Sequence, residues 1–117
     1  MIGSGSTLQV SDNSGAKIVQ CIQPSGKSYT IGDVITVAVK TAGKGKVAAG
    51  SVQKAVIVET KKEFKRKDGS QLRFDRNSCV LLGPKGLPIG SRVLGFVTHE
   101  LRARQMMKVL SLAARVL

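Results

Sequence analysis

The sequence predicts a mainly β protein, a small barrel or sandwich that carries a basic hairpin and ends in a helical tail. Three observations predict it. Short runs rich in β-branched residues recur along the chain, with Gly, Pro, Asn, Asp and Ser clusters between them. One long interruption, Glu59 to Arg76, is crowded with Lys and Arg around a central Asp68-Gly69. From Thr98 onward the apolar residues change from strand to helical spacing.

Thr7 to Val10 reads as a first strand, and Asp12-Asn13-Ser14-Gly15 as a turn in which every residue favours turn conformations. Ala16 to Ile22 is the next strand. Pro24-Ser25-Gly26-Lys27-Ser28 is a loop without the longer Gly-rich spacing of a phosphate-cradling P-loop. After Gly32-Asp33, the run Val34 to Lys40 alternates Ile35, Val37 and Val39 with Thr36 and Ala38, the clearest strand pattern in the chain. Thr41 to Gly50 is a Gly-rich loop whose Lys44 and Lys46 could lie against a phosphate chain. A plain connector explains the loop about as well.

Val52 to Thr60 and Cys79 to Leu82 read as buried strands on either side of the basic hairpin. Asp68-Gly69 is the strongest short-range signal for a two-residue type I′ turn, whose central residues need positive φ. Phe64, Leu72 and Phe74 would pack on one side, leaving Lys61, Lys62, Lys65, Arg66, Lys67, Arg73 and Arg76 toward solvent. An isolated charge run is usually a solvated face. A run anchored at both ends by core strands is held in position, as phosphate contact requires. After a turn-rich Gly83 to Gly90, Arg92 to Val97 is a last strand. Thr98 can cap a helix in which Met106, Val109, Leu110 and Ala113 face the core and Arg104, Lys108 and Arg115 form a basic stripe.

Composition narrows the function. The chain has 117 residues, enough for one domain over 1–117, with a barrel at about 1–97 and a helical tail at about 98–117. Its formal net charge of +12 attracts polyanions. No run of about 18 apolar residues suggests a membrane span. The N-terminus lacks the regions of a secretion signal, and a transit peptide could have been removed. Cys21 and Cys79 sit in apolar strand patterns and read as buried free thiols, with no metal site expected. His99 has no motif partner, the carboxylates fall mostly in turns, and neither catalysis nor a cofactor is expected.

One longer pattern is specific. Ala55, Val56-Ile57-Val58, Asp68-Gly69, Phe74, Asn77 and Val80-Leu81 stand at the spacing of a known signature. They are joined by Asp12-Asn13-Ser14-Gly15-Ala16, Lys61-Lys62, Pro88-Ile89-Gly90-Ser91-Arg92, Glu100-Leu101-Arg102 and Leu110-Ser111-Leu112-Ala113. Over nearly its whole length the chain resembles the universal large-subunit ribosomal protein fourteen, in its bacterial or organellar form. Lys67 replaces a common Pro, Arg76 a usual Gly and Phe96 a common Pro, and the loop before Gly50 is less basic than in bacterial forms.

The resemblance implies a five-stranded β-barrel with a projecting ribbon and short C-terminal helices. It implies direct binding to large-subunit ribosomal RNA and inter-subunit bridges to small-subunit RNA. Ribosomal proteins nineteen and three would be neighbours, and a ribosome silencing factor would dock at Ser91, Arg92 and Lys108. His99 and the short early loop favour the mitochondrial matrix over a bacterial cytoplasm or plastid. The rival readings are a free-standing single-strand binder or translation factor, and a small enzyme acting on an acidic substrate. The scattered Tyr29 and phenylalanines weigh against base stacking, and the lack of an acid/base pair against the enzyme.

Overall fold

The computed structural model describes residues 2–22, 29–43, 45, 47–61, 64–65, 69, 71–72, 74, 76–83, 86–90, 93–97, 109 and 112–116. The strands are β1 (Thr7–Val10), β2 (Ala16–Cys21), β3 (Val34–Ala42), β4 (Val52–Glu59), β5 (Phe64–Lys65), β6 (Gln71–Leu72), β7 (Ser78–Leu82), β8 (Val93–Val97) and β9 (Ala113–Val116). Strands β1-β2-β3-β4-β7 form a closed barrel. All its pairings are antiparallel except β1 with β7, the parallel seam that closes it. Closure pairs both edges of every strand, which a small all-β protein needs to avoid edge-to-edge association.

Alternation decides the inner face. Ile35, Val37 and Val39 of β3 are buried while their neighbours are exposed or half-buried. The register sets Val37 opposite Cys21, Val39 opposite Val19, and Ile35 opposite Ala55. Leu8 joins them through Val19. Strands β4 and β7 do not alternate: Ala55 to Glu59 and Ser78 to Leu82 are buried without interruption. The continuous β-branched runs allow this, because both faces are covered. The chain beyond Gly83 returns over the barrel and adds Val93, Val97 and Val109 to the same core cluster. Each buried aliphatic of this kind stabilises by about 1.5–3 kcal/mol.

Two expectations are corrected. The helical spacing ran on through Ala113, but Ala113–Val116 is a strand, paired in parallel with β8. Val109 and Leu112 are helical, and Val109 is buried as the spacing required. Met106 and Leu110 lie outside the described residues. Two parallel strands need a connection of a dozen or more residues, and the chain between Val97 and Ala113 is long enough for one. Pairing with β8 then overrides the helical pattern at its end.

The second correction concerns the hairpin. Phe64 pairs with Leu72, and Lys65 with Gln71. This leaves 66–70 between paired positions, an odd number that a two-residue type I′ turn does not close. The three- and five-residue connections that fit need one left-handed residue. Gly69, at φ 89°, is left-handed.

Candidate nucleic-acid interface

The basic ribbon is a continuation of the barrel. The pairs Lys54–Leu82, Ala55–Leu81, Val56–Val80 and Ile57–Cys79 of β4 and β7 keep the same register as Phe64–Leu72 and Lys65–Gln71. A local shift between Ile57 and Glu59 interrupts it, a bulge of the kind that re-aims a strand.

At that root the polar groups lock together. Glu59 is buried, and its Oε1 accepts the Ser78 hydroxyl at 2.6 Å and the Arg76 Nε–H at 3.2 Å. Arg76 also donates through Nη1 to Gln9 Oε1 on β1 at 3.1 Å. A buried carboxylate without partners would cost several kcal/mol, and here a guanidinium and a hydroxyl offset that. Two further contacts fix the strands that leave and return. The Lys61 N–H donates to Asn77 Oδ1 at 2.9 Å, and the Phe74 N–H to the Thr60 carbonyl at 3.0 Å. The ribbon therefore leaves the barrel in a set direction.

The Gly-rich loop is anchored too. Its Gly43 N–H donates to the Gly15 carbonyl at 2.8 Å, and its Val47 N–H to the Ser14 carbonyl at 3.3 Å. Gly45 lies so close that an added Cβ would stand 2.5 Å from the Ser14 carbonyl oxygen and 2.7 Å from Gly15 Cα. The turn that receives this loop is held by Asp12. One carboxylate oxygen accepts the Ser14 N–H at 3.1 Å and hydroxyl at 2.6 Å, and the other accepts the Leu81 N–H of β7 at 3.1 Å. Asp12 also bridges to Val93. Beneath it, burial first and the Asp12 charge second push the Cys79 thiol far above its usual range.

The model of the family described as ribosomal protein L14p/L23e matches residues 1–117, the whole chain. The chain belongs to that family. It is accordingly a structural constituent of the large ribosomal subunit, located on the ribosome. In this L14 member the early Asp12-Asn13-Ser14-Gly15-Ala16 motif is a hub of the fold, joining the Gly-rich loop, β7 and β8.

Lys61 stands exposed at the start of the ribbon and Arg76 half-buried at its return. Lys65 has its backbone in β5. Lys44, Lys46, Lys62, Arg66, Lys67 and Arg73 fall outside the described residues, as do Ser91, Arg92 and Lys108. Sequence reasoning passed over Lys17, Lys40 and Lys54, all exposed on barrel strands. The signal for Lys40 was present, because it follows Val39 in an alternating strand and so points outward.

Proposed function

We propose that this L14-family chain grips folded large-subunit ribosomal RNA through its phosphates. The contact surface is the ribbon with Lys61, Lys62, Lys65, Arg66, Lys67, Arg73 and Arg76, extended by Lys44 and Lys46 of the Gly-rich loop. The observation that carries this reading is the ribbon root. The Arg76–Glu59–Ser78 lock and the continued β4–β7 register support it by rooting the ribbon in the barrel, which a solvated charge run would not need. Arg76 has five N–H donors, of which the Glu59 and Gln9 bonds use two. A phosphate could take others.

The same reading makes 1–117 one domain, without catalytic activity. At the subunit interface it contributes to bridges with small-subunit RNA and lies beside ribosomal proteins nineteen and three. Ser91, Arg92 and Lys108 form the docking patch for a silencing factor. His99 and the short early loop support a mitochondrial ribosome. The test is sedimentation of the tagged full-length chain on a sucrose gradient. The chain should travel with large subunits and be released from them by high salt. A chain that remains at the top of the gradient under low salt would overturn the assignment in favour of a free-standing binder.

A further inference from the structure

The outer face of β2, β3 and β4 differs from the rest of the barrel wall. Ile18 on β2, Ile22 just past its end, Val34 on β3 and Val52 on β4 are 41%, 45%, 41% and 59% exposed. The register joins them into one surface. The Ile22 N–H donates to the Thr36 carbonyl at 3.0 Å, Thr36 pairs with Lys54, and Lys54 with Leu82. In the next row Gln20 pairs with Ala38, and Ala38 with Val52.

Lys17, Lys40 and Lys54 are the cations of this surface, all exposed. Among the described residues two carboxylates border it: Asp12, in the cleft beside Lys17, and the half-buried Asp33, next to Val34. Asp12 and Glu59 are buried, and Asp33, just before β3, accepts the Thr30 N–H at 2.8 Å within its own turn. Where β4 meets β7, a cleft of about 240 Å³ is lined by Thr36, Val52, Gln53, Lys54, Leu82 and Gly83. Lys54 Nζ donates to Thr36 Oγ1 at 2.7 Å, which holds the ammonium beside the cleft with donors to spare.

Folded RNA offers phosphates to lysines, and its bases stack on aromatic rings or guanidinium planes. It makes little use of exposed Ile and Val. A protein segment with aliphatic side chains set among carboxylates complements this surface, in which exposed aliphatic residues are interspersed with lysines. We propose that the outer face of β2, β3 and β4 is a docking surface for such an acidic, aliphatic protein segment, with one of its side chains seated in the Val52–Leu82 cleft and a carboxylate on Lys54. This goes beyond the RNA grip and does not rest on it.

The test uses the full-length chain in whatever complex it enters in its own cells, isolated on a sucrose gradient. A water-soluble carbodiimide joins lysine amines to protein carboxylates and leaves internucleotide phosphodiesters unlinked. A parallel sample is irradiated to link RNA. Lys54, with Lys17 or Lys40, should be joined to Asp or Glu of another protein, within a segment carrying aliphatic residues. Val52→Glu, a change at an exposed position, should lower that yield at least ten-fold while the melting temperature holds. Absence of these links, links to a second copy of this chain, or irradiation links from this face to RNA would each overturn the proposal. The sedimentation position reports on the ribosomal assignment separately.

Discussion

Arg76 carries two jobs. Its guanidinium neutralises the buried Glu59 and ties β1 to the ribbon root through Gln9. Because the Arg76 side chain is 37% exposed, solvent screens part of the attraction, and Arg76→Ala should cost about 1–2 kcal/mol rather than the 3–5 kcal/mol of a fully buried pair. The cost should shrink in a Glu59→Gln background, where no buried charge is orphaned. Melting curves of the two single variants and the double variant check this, and strictly additive costs would count against the lock.

Cys79 makes a second residue-scale prediction. Burial and then Asp12 raise its thiol above the unfolded value. Above about pH 8.5 the unfolded chain loses that proton while the folded chain keeps it. The unfolded state then binds fewer protons, so stability is complete below about pH 8.5. It falls above that by about 1.4 kcal/mol per pH unit from this group. Denaturant titrations of wild type and Cys79→Ala between pH 7 and 10 should show the steeper decline only in wild type.

At the scale of elements, the ribbon and its supports should fail differently. Replacing Lys65, Arg66 and Lys67 together by Gln removes charge from the ribbon, with a stability cost usually within about 0.5 kcal/mol each. RNA affinity and incorporation into large subunits should drop while the melt is nearly unchanged. If this variant assembles like wild type, the contact surface lies elsewhere. The two glycines separate conformation from contact. Gly69 is left-handed, and an added Cβ there meets nothing within 4 Å, so Gly69→Ala should cost only the conformational strain, about 1–2 kcal/mol. At Gly45 the added Cβ strikes the backbone of Ser14 and Gly15. Gly45→Ala should cost more than Gly69→Ala and shift the loop that carries Lys44 and Lys46, visible as amide chemical-shift changes at 12–15 and 43–47.

For the molecule as a whole, +12 of formal charge sets how it meets RNA. Phosphate contacts release counterions, so log K should fall linearly with log salt, by about 0.7–0.9 for each contact. The triple Gln ribbon variant should shallow that slope by about 2–3 if all three side chains touch phosphates. An affinity that ignores salt would exclude the grip. Filter binding to a structured large-subunit RNA fragment between 50 and 300 mM salt makes the measurement.

The sequence by itself determined the five barrel strands and most of the core they bury. Alternation in β3 and the continuous runs of β4 and β7 are local signals, set by side-chain period and by what must be buried. The five-strand count was implied by the family resemblance, which longer-range motif spacing carried. Tertiary structure alone decided three things. Pairing with β8 made 113–116 a strand, because its partner lies outside any local window. The β5–β6 register set the connection around Gly69, because register belongs to two strands together. Asp12-Asn13-Ser14-Gly15 reads locally as an ordinary turn. It becomes a hub only when folding brings Gly45, Leu81 and Val93 to it, and Arg76 finds Glu59 and Gln9 in the same way. These contacts satisfy buried polar groups and close-packed backbone across distant segments, a constraint that exists only once the chain is folded.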